Sequence, residues 1–145
     1  MLVPNNQQVV VVIDDDLQIS QALGTWFHIM GVRGSFHSTA EGFLDTLVRD
    51  AQGLHVRMDA SSRNSYGLAG VIVDLNLPGI NGVKLIQKLH QLQANLPLVL
   101  ITALREEERA RYGDLPPGVV CVKKPFDLDT LEQALFGHST EQGIG

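Results

Sequence analysis

An α/β fold, with a parallel sheet covered by helices on both faces, is predicted by three features of this 145-residue sequence. Short apolar runs rich in β-branched residues alternate with amphipathic stretches five times. The runs are too uniformly hydrophobic for strands that face water on one side, so they read as strands buried on both. Each is followed closely by a helical pattern, and that repetition builds parallel sheets with short, ordered crossovers.

The first strand is "VVVVI", Val9 to Ile13. Asp16 can cap the following helix, "LQISQALGTWFHIM", in which Leu17, Ile19, Ala22, Leu23, Trp26, Phe27 and Met30 form an apolar stripe that Gly31 ends. "VRGSFH" is a weaker second strand. Ser38, with Glu41 three residues on, has the spacing of a capping box, which predicts a helix over "TAEGFLDTLVRDA". "GVIVDL" and "PLVLIT" are the third and fourth strands, separated by the helix "VKLIQKLHQLQA". "LREEERARY" is a short charged helix, "GVVCVK" the last strand and "DLDTLEQALFG" the closing helix. Residues 52–69 break the rhythm. This stretch is polar, rich in Ser, Gly and Asn, and predicts a mobile surface insertion entering the third strand from its amino end.

The chain has the length of one domain with a single core, here residues 8–137, with 138–145 as a tail or the start of a linker. A net charge of −5 argues against direct nucleic-acid binding by this chain. A single cysteine, Cys121, excludes an internal disulfide and a cysteine metal cluster, and fits a cytoplasmic protein. No signal peptide or apolar run of membrane-spanning length is read in the sequence.

The chemistry gathers at strand ends, where ligands of parallel α/β sheets bind. The first strand ends in Asp14 and Asp15, the third in Asp74, the fourth in Thr102 and the fifth in Lys124 before Pro125. Three carboxylates in one crevice repel, which raises a pKa or recruits a divalent cation. With oxygen ligands alone, that cation is Mg²⁺ or Mn²⁺. Beside such a cation Asp74 becomes a candidate nucleophile toward a phosphoryl group, with Thr102 and Lys124 to meet the phosphoryl oxygens. The Pro78-Gly79 turn would re-aim the chain so that a backbone carbonyl near Asn76 completes the metal's shell. As bare structural residues, Asp16 reads as a helix cap, Lys123 as solvated, Cys121 as a small buried hydrophobe, and "REEERAR" as an exposed charged helix.

In order, "VVVVIDDD", "GVIVDLNLPGING", "LVLITA" and "VKKPF" resemble the receiver domain of bacterial two-component response regulators over roughly residues 8 to 137. The resemblance implies a doubly wound, five-stranded CheY-like sheet of order 2-1-3-4-5. It implies Asp74 as phosphoacceptor, Asp14 and Asp15 as the acid pair, and the Asn76 carbonyl as a further Mg²⁺ ligand. Thr102 would be the switch hydroxyl and Lys124 the cation on the phosphoryl group, with a cis Lys124–Pro125 bond. The implied partners are a sensor histidine kinase or histidine phosphotransfer protein, an effector domain or downstream protein, and a second copy in a homodimer. Cys121 departs from the pattern, standing where the family commonly has an aromatic ring.

Two other readings compete. One is a receiver-like binding module governed by partners rather than by phosphate. The other is a small phosphatase of the haloacid-dehalogenase type, in which Asp14 of "IDDDLQ" is the nucleophile and Asp16 the acid-base. They differ in which aspartate, if any, carries the phosphoryl group.

Overall fold

The architecture, taken from a computed structural model, is described for residues 8–58 and 64–137. In chain order its strands are β1 (Gln8–Ile13), β2 (Gly34–His37), β3 (Leu47–Asp50), β4 (Gly53–Arg57), β5 (Ser65–Asp74), β6 (Leu98–Thr102) and β7 (Val120–Lys123). The helices are α1 (Leu17–Met30), α2 (Ala40–Leu44), α3 (Gly82–Leu92), α4 (Glu106–Arg109), continued by a 3₁₀ turn, and α5 (Leu128–Phe136).

The predicted parallel core is present. β2, β1, β5, β6 and β7 pair side by side, all parallel, in the order implied by the resemblance. β1 and β6 are buried almost throughout, as their unbroken apolar runs require. One face of the sheet packs on α2 and α3, through Phe43, Leu85 and Leu89 against Val11, Val71 and Leu100. The other packs on α1 and α5, through Leu23, Phe27, Leu131 and Leu135 against Val12, Ile72 and Ile101. Asp16 caps α1 by accepting from the amides of Gln18 and Ile19, and Gly31 ends it at φ 73°. Leu17, predicted in the apolar stripe, is 71% exposed and lies off it.

Two further expectations fail, both around the insertion. The helix predicted over 39–51 stops after five residues. Thr39, not Ser38, is its N-cap, accepting from the Gly42 amide. Thr46 then closes the last turn with both its amide and its hydroxyl on the Phe43 carbonyl. Leu47 onward forms a strand instead, because Leu47 pairs with Val56 in the antiparallel β3–β4 hairpin. The stretch expected to be a mobile loop is therefore largely ordered sheet. Leu54 and Val56 are buried in the core, and β4 pairs antiparallel with the first residues of β5. Residues 59–63 of that stretch, and the predicted tail 138–145, lie outside the described residues.

β5 is consequently longer than its sequence signal and is flanked differently along its length. Its first residues, Ser65 to Gly67, pair with β4, whereas Val71 to Asp74 pair with β6. The sheet is seven-stranded and forks at β5.

Candidate functional site

The carboxyl ends of β1, β5, β6 and β7 converge on one crevice. Asp14 follows β1 directly and is 1% exposed; its Oδ1 accepts from the Asp16 amide at 2.9 Å. Asp15 is exposed, and Asp74, closing β5, is 5% exposed. One carboxylate oxygen from each of Asp14, Asp15 and Asp74 lies within 4.8 Å of the others.

Lys124, from the end of β7, lies between the two buried acids. Its Nζ is 3.2 Å from Asp74 Oδ1 and 3.5 Å from Asp14 Oδ2. The Lys124–Pro125 bond is cis, and the Lys124 amide donates to the Thr102 carbonyl at 2.8 Å. Thr102 is 2% exposed at the end of β6, and its hydroxyl accepts from the Leu104 amide at 3.0 Å.

Burial pushes the Asp14 carboxyl up to about 6, opposed by the Asp16 amide; Asp74's charge raises it further and Lys124 lowers it. One ammonium between two buried carboxylates leaves net negative charge in a partly dry site. Asp14 Oδ2 is buried and takes no hydrogen bond. A buried carboxylate oxygen with only the Lys124 ammonium at 3.5 Å, facing two further carboxylates, suits a hard divalent cation, and the all-oxygen set disfavours a soft one. The chemistry of the cluster therefore fits the cation that the sequence predicts.

Asn76 lies two residues past Asp74 in an exposed turn. That turn is held at its base by the Leu77 and Gly82 amides, both donating to the Leu75 carbonyl. Gly82 packs against the Asp74 backbone so closely that a Cβ there would collide with the Asp74 carbonyl. The glycine thus lets α3 begin directly behind the carboxylate.

Beside the crevice, the start of α1 and the loop into α5 line an open, mainly apolar groove of about 610 Å³, with Ile19, Ala22, Leu23, Phe126 and Leu128 on its walls and Lys124 at its border.

Sequence reasoning missed three features. Glu41, expected to close a capping box, instead bonds the Ile80 amide in the β5–α3 turn. Arg109, in the run expected to be fully solvated, is 7% exposed, donating to Glu106 and to the Gly113 carbonyl. Cys121, expected to be buried, is exposed. Partial burial still pushes its thiol up, Arg109 draws it down and Glu106 adds to the rise, so the thiol is not activated. Lys123 is exposed, as predicted.

Comparison with known proteins follows the same lines. The family model for the response regulator receiver domain matches residues 10–136. The transcriptional regulatory protein DctD for C4-dicarboxylate transport, from Pseudomonas aeruginosa, is 28% identical over 133 residues, covering 86% of this chain and 24% of that protein. The sensor histidine kinase RcsC of Salmonella typhimurium is 30% identical over 134 residues, 90% of this chain and 12% of that one. The chain thus spans a quarter or less of these two relatives. Among solved structures, the signal receiver domain of an HD domain-containing protein from Pseudomonas fluorescens superposes with a TM-score of 0.66 at 19% identity, covering 99% of this chain and 97% of that one.

Proposed function

This chain belongs to the response regulator receiver domain family, and from that premise we propose that it is a Mg²⁺-dependent switch in which Asp74 accepts a phosphoryl group from a histidine kinase or phosphotransfer protein. Residues 8–137 form the receiver unit. The observation that carries the reading is Lys124 held against both Asp74 and Asp14 inside a cluster of three carboxylates.

In the transfer, an Asp74 carboxylate oxygen bonds to phosphorus as the donor's P–N bond breaks, leaving an acyl phosphate. Asp14, Asp15, Asp74 and the Asn76 carbonyl would hold the cation, whose positive charge offsets the charge spread over the phosphoryl oxygens. Lys124 has the reach to leave its carboxylate partners and meet those oxygens. Thr102 now accepts from the Leu104 amide; after transfer its hydroxyl is free to donate instead to a phosphoryl oxygen. The added charge of about −1.5 to −2 is what biases one arrangement over the other. The apolar groove beside Lys124 supplies a shoulder against which a phosphodonor protein can seat.

The two relatives include a transcriptional regulator and a sensor kinase. An effector domain or a downstream protein would carry the output. Among the described residues no helix is long and apolar enough to cross a membrane.

The test is intact-mass spectrometry after incubation with Mg²⁺ and acetyl phosphate, wild type beside Asp74→Asn. One adduct on wild type, lost in the variant, is expected. An adduct retained in Asp74→Asn would move the nucleophile to Asp14 and revive the phosphatase reading. No adduct on either would favour control by a partner.

A further inference from the structure

Two glycines outside the carboxylate cluster share an unusual arrangement. Gly53 and Gly79 both have positive φ, 120° and 79°. At each, a Cβ would fall on a side-chain oxygen from a distant element: Gln93 Oε1 at 2.8 Å for Gly53, and Glu41 Oε2 at 2.6 Å for Gly79. At each, that same oxygen accepts the amide of the next residue, Leu54 at 3.0 Å and Ile80 at 3.3 Å. Both links span 39 residues. Only glycine leaves the turn open enough for an acceptor to reach the following amide in this way.

The placement of the two links gives them a joint meaning. Glu41 lies on α2 and Leu54 on β4, the two sides of the unit formed by α2 and the β3–β4 hairpin. Ile80 precedes α3 and Gln93 is its C-cap. The unit therefore grips α3 at both ends. The upper grip, at Ile80 six residues past Asp74, falls in the turn that carries Asn76. The Leu77 and Gly82 amides pin the base of that turn to Leu75, and the Glu41 carboxylate holds its tip from a separate helix.

We infer that α2 and the hairpin act as a clamp on α3, and that Glu41 is a positioning residue for the turn that presents the Asn76 carbonyl to the carboxylate cluster. This rests on the receiver reading for what the turn presents, but the clamp itself stands on the two glycine links. Glu41 acts through backbone and touches no reacting atom. Holding the turn in one conformation before a cation arrives lowers the ordering cost of binding it, and ligand-orienting contacts one shell out act in this way.

The experiment is a calorimetric Mg²⁺ titration of the whole chain, with thermal melting and amide exchange at Ile80 read on the same samples. Glu41→Ala, Glu41→Gln and Gln93→Ala are compared with wild type. Glu41→Ala is expected to weaken Mg²⁺ binding about fivefold and to speed exchange at Ile80, with the melting temperature unchanged. Glu41→Gln keeps an oxygen for the same amide and should restore both. Gln93→Ala should lower the melting temperature and leave Mg²⁺ affinity alone. Wild-type affinity and wild-type Ile80 exchange in Glu41→Ala would overturn the assignment. So would Glu41→Gln behaving as Glu41→Ala does, since the carboxylate's charge would then be what matters. A wild type that takes no adduct from acetyl phosphate would sink the phosphorylation reading, while Ile80 exchange would still decide the clamp.

Discussion

The two ends of β5 were built on opposite terms. At its carboxyl end the strand delivers Asp74 into a crevice with Asp14, Asp15 and Lys124, where buried charge is incompletely compensated. At its amino end it leaves β6 and pairs with a hairpin whose inward residues, Leu54 and Val56, are buried hydrophobes. The first end costs stability and gains chemistry. The second contributes apolar burial and carries none of the acids. A single strand can do both because side-chain burial is set locally, by whichever neighbour flanks each half.

The sharpest test of that division is at the amino end. Leu54 is 3% exposed, so Leu54→Ala leaves a cavity in the core and should cost about 3 kcal/mol in urea unfolding. At a temperature where the variant is folded, it should still take one phosphoryl adduct on Asp74. Loss of that adduct from a folded variant would break the division.

The next effect lies at the other end and has the opposite sign. Asp14 titrates near 6 in the fold against an ordinary 3.8. The folded protein therefore holds this proton more tightly than the unfolded chain does. Stability from this group is greatest at low pH, falls as pH rises from about 4 to about 6, and is flat above; the total loss is on the order of 2–3 kcal/mol. Asp14→Asn should remove that loss, unfolding at higher urea than wild type at pH 7.5 and at similar urea at pH 4. A variant less stable than wild type at pH 7.5 would mean that the Lys124 contact outweighs the burial.

A divalent cation should reverse the same deficit. At Mg²⁺ tenfold above its dissociation constant, binding to the folded state alone adds about 1.4 kcal/mol. Since binding requires the ionised carboxylate, the gain should shrink at pH 5, where Asp14 keeps its proton, and chelation should abolish it. Equal stabilisation at pH 5 and pH 7.5 would show the cation bound away from Asp14.

The same contrast explains what could be read in the sequence. Asp14, Asp74 and Thr102 each end an uninterrupted apolar run, and Lys124 follows one after Lys123; a polar residue at that place in a parallel sheet has few structural excuses. The parallel pairing of the core was legible from the same apolar runs, its strand order only from the family resemblance, and the caps at Asp16 and Gly31 from local residue type. The hairpin was not. Its strands are four and five residues long, and Arg49, His55 and Arg57 interrupt the apolar positions. Alternation at Leu54, Val56 and Met58 was a usable period-2 signal, obscured by the polar residues around it. The single cation among the acids of "REEE" and its neighbour Arg109 also look alike in sequence; only the packed fold buries one of them.

Glu41 shows how a local rule loses to a tertiary partner, and it carries the smallest prediction. Ser38 and Glu41 have capping-box spacing, yet the cap is Thr39, one residue on, whose hydroxyl accepts from Gly42 at 2.9 Å. Moving the cap by one residue puts Glu41 at the second helical position, too early to reach back to the cap amide. That frees its carboxylate for Ile80. Thr39→Ala should therefore cost about 1 kcal/mol, the ordinary value of a lost N-cap, while Ser38→Ala should cost almost nothing. Both are read by urea unfolding at one pH. If Ser38→Ala proved the costlier of the two, the helix would begin a residue earlier, Glu41 would be drawn back to its own helix, and the tie between α2 and the β5–α3 turn through that carboxylate would be lost.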